Sequence, residues 1–109
     1  MLIVINEFHV QPGAEREFER LFGQVLALIL REPGCRSCRL HRERGGERTY
    51  VSYLEWESEA ALTAPHDPAI GALIARYPLE ESPRRRRFDV VALPGFAAGG
   101  HLAGASPAS

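Results

Sequence analysis

Apolar and polar residues along the chain follow two periods, one typical of strands and one typical of helices. The segment MLIVINEFHV is rich in β-branched and apolar residues, and ERTYVSYLEW is the strongest strand-like segment. After QPG, apolar residues recur every three or four positions, which predicts an amphipathic helix with one buried side; they are Phe18, Leu21, Phe22, Val25 and Ile29. The pattern predicts strands at about 2–10, 35–44, 47–56 and 86–93, and helices at about 14–32, 58–64 and 68–77.

Short breaking motifs separate these elements. QPG and EPG flank the long helix, because proline cannot continue a helical hydrogen-bond ladder. Gly45 and Gly46 suit a hairpin turn that needs positive φ. Ser58 is predicted to cap the next helix, and PHDP interrupts that helical region. The order β-α-β-β-α-β predicts an α+β, ferredoxin-like protomer with an antiparallel sheet.

The composition is ordinary for a single globular domain. The chain has 109 residues, of which 45% are hydrophobic and 25% charged, and its formal net charge is −1. This charge gives no general attraction to nucleic acid or anionic membranes, and the longest apolar run, Val25–Leu30, is too short to cross a bilayer. The N-terminus lacks the cationic start of a signal peptide, so we predict a cytoplasmic protein without nucleic-acid or membrane partners. Residues 1–95 are predicted to form the domain and residues 96–109 a Gly/Ala/Ser-rich tail, disordered or loosely docked.

The predicted sheet is apolar on both faces. Leu54 and Trp56 lie on one face of the third strand, whereas Val51 and Tyr53 lie on the other. Because the helices cover only one face, the other would be an exposed apolar surface unless a second copy covered it. The sequence therefore predicts a homodimer through sheet-to-sheet packing.

Two further motifs invite functional interpretations. Cys35 and Cys38 form a C-x-x-C, but they follow a helix rather than begin one, and no second pair completes a zinc site. We interpret them as small apolar residues on a strand. The arginine run in PRRRRF most simply protects an edge strand from aggregation, and an acidic substrate at a cavity mouth is the alternative.

Three stretches, FHVQPGAEREFERLF, REPGCRSCRL and EWES followed by EAAL, resemble the antibiotic biosynthesis monooxygenase family. The resemblance covers about residues 2–93. It implies a ferredoxin-like protomer that pairs as a dimeric α/β barrel, with a small cavity between the sheet and the helices of each protomer. The family hosts several activities, so the fold alone does not select one.

One branch of this family oxygenates polycyclic aromatic polyketides or quinols with dioxygen and without flavin, haem or metal. By resemblance, Trp56 corresponds to the tryptophan of that branch. Its asparagine and helix arginine correspond here to Ser52 and Ile74. This branch implies a cofactor-independent monooxygenase whose partners are a small aromatic molecule and dioxygen.

A second branch binds and degrades haem. Asn6 and Gly13 have the spacing of its marker asparagine and glycine, but Leu73 stands where its histidine ligand would be. Haem is therefore the alternative cofactor, and a non-catalytic dimeric module that binds a small ligand is the alternative function.

The candidate catalytic residues are Trp56, Asn6 and His66, and each also has a structural interpretation. Trp56 is either a core aromatic or a cavity wall that offers an indole N–H. Asn6 either satisfies backbone groups or offers its amide to an oxyanion. His66 is either a solvated loop residue or a general base. The predicted substrate-binding residues are Ser52, Tyr50, Phe22 and Leu73.

Overall fold

The computed structural model describes residues 1–46 and 48–96 and contains four strands and three helices. They are, in chain order, β1 (Leu2–His9), α1 (Glu15–Ile29), β2 (Cys35–Arg42), β3 (Thr49–Trp56), α2 (Glu59–Thr63), α3 (Pro68–Ile74) and β4 (Arg84–Asp89). The predicted α+β class and β-α-β-β-α-β order are confirmed, with the second helical region divided into α2 and α3. Apart from Phe96, the predicted tail lies outside the described residues.

The sheet is antiparallel, with the strand order β2-β3-β1-β4. In its central pair, Leu2 faces Trp56, Val4 faces Leu54, and Asn6 faces Ser52. This register gathers the largest side chains of the inner face against α1, where Phe8, Phe18 and Tyr50 form one buried cluster with them. Phe8 and Phe18 lie 5.2 Å apart between ring centroids.

Element boundaries follow local chemistry. The hydroxyl of Ser58 accepts a hydrogen bond from the Ala61 amide at 3.1 Å, which confirms the predicted cap of α2. Asp67 caps α3 in the same way through the Ala69 amide at 2.9 Å, a cap that the sequence pattern did not identify. The strand β4 ends at Asp89, earlier than predicted, because Asp89 pairs with Leu2, the first residue of β1.

Gly34 lets α2 approach the entry of β2. Its φ is +86°, and a Cβ there would lie 2.5 Å from the Cβ of Ala61. The Glu57 amide donates to the Gly34 carbonyl at 2.8 Å, joining the end of β3 to the same loop. These contacts hold α2 beside the end of β3 that carries Trp56. Among the described residues, no helix combines the length and the apolar character needed to cross a bilayer.

Candidate active site

A cavity of about 230 Å³ lies between the inner face of the sheet and the helices. All four strands and all three helices contribute residues to its wall. Most of the wall is apolar, formed by Val4, Phe8, Phe22, Val25, Ile29, Leu54, Leu62, Ile70, Ile74 and Pro83. Such surroundings lower the local polarity, so each polar group on the wall interacts more strongly with a bound molecule than it would in bulk water.

A row of polar side chains crosses the sheet at this wall. Register places Ser52 of β3, Asn6 of β1 and Arg85 of β4 side by side. The Asn6 amide nitrogen donates to Ser52 Oγ at 3.2 Å, and Arg85 Nε donates to Asn6 Oδ1 at 3.0 Å. Ser52 is 1% exposed and Asn6 7% exposed, so the row begins in the core and ends at the exposed Arg85.

Trp56 closes the wall at the end of β3. The residue is 1% exposed, and its indole Nε1 is the one buried side-chain polar atom without a hydrogen-bond partner among the described residues. An unpaired buried donor costs about 1–3 kcal/mol, so it is unusual unless something outside the protein satisfies it. Trp56 lines the cavity, so a molecule bound there is the candidate partner for this N–H.

His66 packs against Trp56, with 5.0 Å between the ring centroids. Its Nε2 lies 2.7 Å from the Leu62 carbonyl, and its Nδ1 lies 3.3 Å from Glu32 Oε2. The carbonyl can only accept, so Nε2 carries a proton and donates it. Glu32 also accepts from the Asp67 amide at 2.9 Å, which joins the end of α1 to the loop before α3.

Two other polar groups of the wall are held protonated. Burial raises the pKa of the Cys38 thiol to about 12, with a smaller contribution from Cys35. Burial also raises the pKa of the Tyr77 hydroxyl. Neither group therefore supplies a negative charge to the cavity near neutral pH.

The cavity opens where its lining residues become exposed. Ile74 at the end of α3, Pro83 before β4 and Arg85 within β4 form this mouth. Among the described residues that line the cavity, Arg85 is the only Lys or Arg.

Five of the seven predicted site residues lie together on this wall: Trp56, Asn6, His66, Ser52 and Phe22. Tyr50 and Leu73 do not line it, which corrects their predicted placement. Tyr50 shares the inner face, but it lies two residues further from the cavity than Ser52, and its hydroxyl donates to Glu19 Oε2 at 2.6 Å. Leu73 instead packs as a partly buried residue against the core, and its neighbour Ile74 lines the mouth.

Arg85 was not among the predicted site residues, although an acidic substrate at a cavity mouth was the alternative interpretation of the arginine run. The arginine run had suggested an edge strand, and β4 is indeed at the edge of the sheet. Strand alternation was the available signal, because it turns alternate arginines toward the helices. Which of these arginines contacts Asn6 depends on the register in which β4 pairs with β1.

The wall does not suit an axial haem ligand. Its one histidine, His66, has both ring nitrogens engaged by Leu62 and Glu32, and Leu73 lies off the wall. Across the described residues, no group of three or more His, Cys, Asp or Glu side chains is arranged to hold a metal ion.

The sequence matches the family model described as antibiotic biosynthesis monooxygenase over residues 1–66. The chain belongs to the antibiotic biosynthesis monooxygenase family. Among curated relatives of this family, the tetracenomycin-F1 monooxygenase of Streptomyces glaucescens is 36% identical over 72 residues, covering 64% of this chain. The matched region spans 63% of the length of that relative.

Solved structures of other proteins share the architecture. SnoaB of Streptomyces nogalater, described as a cofactor-independent oxygenase, is 29% identical with a TM-score of 0.68, over 85% of this chain and 96% of its own. Rv0793 of Mycobacterium tuberculosis superposes with a TM-score of 0.75 over 85% of this chain and 97% of its own. At 22% identity, the second similarity concerns the fold alone.

Proposed function

We propose that the chain is a monooxygenase that oxidises an electron-rich polycyclic aromatic, such as an anthrone or quinol, with dioxygen and no cofactor. The observation that carries this proposal is the unpaired, buried indole N–H of Trp56 on an apolar cavity wall. The names of two relatives, a tetracenomycin-F1 monooxygenase and a cofactor-independent oxygenase, support it.

The proposed reaction needs no electron source other than its substrate. In an anthrone, the methylene carbon gains one oxygen atom of dioxygen as a carbonyl. The other oxygen atom leaves as water with the two methylene hydrogens, and the substrate supplies all the electrons. The deprotonated substrate passes an electron to dioxygen more readily than the neutral form does, so the protein need only bind and stabilise the anion in a dry site.

In this proposal, Trp56 and Asn6 donate hydrogen bonds to the oxygen that becomes negative. Ser52 adds a hydroxyl beside Asn6, and Phe22 packs against the aromatic rings. His66 positions the indole through their ring contact, and its Nε2 and Nδ1 lie against the Leu62 carbonyl and Glu32.

Oxygen uptake by the purified, metal-stripped protein tests the proposal with a panel of anthrones and quinols. We expect Trp56→Phe and Asn6→Ala to lower kcat by about 10²–10³, the usual effect of removing one oxyanion donor. Tyr50→Phe is the matched control, because it removes an aromatic hydroxyl from the same sheet face outside the cavity. Uptake at the uncatalysed rate by a folded wild-type protein would contradict an oxygenase.

The second candidate function is a non-catalytic module that binds a small aromatic ligand. It is favoured by the mostly apolar wall and by Ile74 and Ser52 on that wall, which by resemblance stand where the oxygenase branch has an arginine and an asparagine. Ligand binding that quenches Trp56 fluorescence without oxygen uptake would support it.

We also infer that the chain acts as a homodimer through the outer face of its sheet. This face carries half-buried Ile5, Val51 and Tyr53, and Phe88 on β4 is 42% exposed there. Covering such a surface removes apolar area from water, which contributes about 25 cal/mol per Å².

A further inference from the structure

The four consecutive arginines of β4 have different surroundings. Arg84 and Arg86 pair with Glu7 and Ile5, so they belong to the outer face of the sheet. Arg87 points to the inner face and pairs with Glu59 at 3.0 Å, both side chains being largely exposed. Arg85 alone among the four lines the cavity.

The contact of Arg85 with Asn6 determines the direction of the hydrogen bonds along the polar row. A guanidinium group has only donors, so the Asn6 atom that it contacts must be the amide oxygen. The amide nitrogen of Asn6 is then turned toward Ser52, where it donates one proton to Oγ. Ser52 Oγ thus serves as an acceptor, and its own proton has no protein acceptor among the described residues.

With the Asn6 amide in this orientation, several hydrogen-bond donors of the wall residues have no acceptor among the described residues. They are the second amide proton of Asn6, the hydroxyl proton of Ser52, the indole N–H of Trp56 and the remaining guanidinium protons of Arg85. The nearby Cys38 and Tyr77 are kept neutral by burial. A molecule that offers acceptors and a negative charge complements this arrangement better than a neutral phenol, which brings a competing donor.

We propose that Arg85 is a positioning residue that orients the Asn6 amide and, with its charge, makes the cavity select the deprotonated form of an aromatic hydroxyl ligand. This inference rests on the proposed function for the class of ligand and for its anionic form, and it adds the residue whose charge and contact with Asn6 favour that form.

Alizarin is a suitable probe, because it is a dihydroxyanthraquinone that does not react with oxygen and whose colour reports its ionisation. Its apparent pKa would be measured by absorbance with saturating protein, while Trp56 fluorescence reports binding. We expect wild type to lower that pKa by about 1–3 units, the effect of an adjacent opposite charge. Arg85→Met should lose at least half of the shift.

Two further variants separate charge from orientation. Arg87→Met is the matched control, since it removes an inward arginine two residues along the same strand without touching the cavity, and it should keep the full shift. Arg85→Lys keeps a charge but lacks the guanidinium Nε that contacts Asn6, and it should give an intermediate shift. All three variants would be checked for folding by circular dichroism.

Three results with bound alizarin would overturn the inference. They are an alizarin pKa that is unchanged or raised on binding, equal shifts in Arg85→Met and Arg87→Met, or a full shift in Arg85→Lys. Failure of wild type to bind alizarin would overturn it as well. Failure of this inference can be distinguished from failure of the proposed function. If the alizarin pKa shift depends on Arg85 but no anthrone is oxidised, the oxygenase activity is rejected and the role of Arg85 in binding the deprotonated ligand is retained.

Discussion

At the scale of single residues, Asn6 shows how a side chain acquires its properties from its neighbours in the sheet. Its amide is buried, and each end has one partner: the oxygen accepts from Arg85, and the nitrogen donates one proton to Ser52. The indole of Trp56 lies on the same wall without a partner. A buried polar group is normally paired, so the unpaired indole N–H is the group on this wall whose burial most needs a partner.

Cys38 provides a residue-scale prediction about pH. Its thiol lines the cavity, and burial raises its pKa to about 12 from an ordinary value of 9.0. Because the folded pKa is the higher one, this group stabilises the fold below about pH 9, and the contribution is lost as the pH rises toward 12. We expect Cys38 in the Cys35→Ser variant to be alkylated much more slowly in the folded than in the denatured chain near pH 8, because the folded thiol is both buried and protonated.

The matched measurement uses Cys38→Ser, which leaves the half-buried Cys35 as the reactive thiol. Burial raises the pKa of Cys35 too, but this residue is more accessible, so it should react faster than Cys38. Equal rates for the two thiols would contradict the prediction. A protonated Cys38 would also resist addition to a quinone formed in the cavity, which suits the proposed reaction.

At the scale of elements, the short helix α2 depends on a contact at its start and another at its middle residue. Ser58 caps its start, and Gly34 permits the close approach of Ala61. The helix carries Leu62, which contributes to the cavity wall and accepts the hydrogen bond of His66. Displacement of α2 would therefore change the cavity without altering any residue of the polar row.

Gly34→Ala tests this dependence. We expect a loss of free energy of unfolding of about 2–4 kcal/mol, because the positive φ costs about 1–2 kcal/mol and the clash with Ala61 adds to it. Gly13→Ala is the control, since its φ is also positive, at +79°, but nothing lies within 4 Å of the added Cβ. Chemical denaturation would measure both variants, and equal losses would show that the approach of α2 is not tight.

At the scale of the whole molecule, the two faces of the sheet differ in what they contact. The inner face holds the core and the cavity, whereas the outer face remains partly uncovered around Val51 and Tyr53. Arg39 lies over the Tyr53 ring at 5.3 Å, which partly shields it. Sheet-to-sheet pairing would cover this face without obstructing the mouth, which lies on the helix side.

We expect Val51→Arg to abolish the proposed dimer, because it places a charge in the middle of the apolar outer face. Light scattering should give wild type about twice the chain mass of 12.1 kDa and the variant about the chain mass itself. Leu30→Arg is the control, since it also replaces an apolar residue, one that is 47% exposed after α1, and it should stay dimeric. A monomeric wild type would contradict the homodimer.

Most of the fold prediction followed from local sequence patterns. The three-and-four spacing from Phe18 to Ile29 and the alternation in β3 determine which elements form, since each depends only on nearby residues. The predicted strand at 86–93 was displaced because its limits depend on pairing with β1, which no local pattern specifies. Tyr50 and Leu73 were wrongly predicted to line the cavity for a similar reason. The sequence pattern shows which face of an element a residue lies on, but it does not show how far along that element the cavity extends.

The sequence by itself determined the element order, the two-sided sheet and the family, because periodicity and motif spacing are properties of neighbouring residues. Only the tertiary structure decided that Ser52, Asn6 and Arg85 form one row, because residues 46 and 79 positions apart meet through strand register. It likewise decided that the nitrogens of His66 are occupied while that of Trp56 is unpaired, because hydrogen bonding depends on three-dimensional contacts that chain order does not specify.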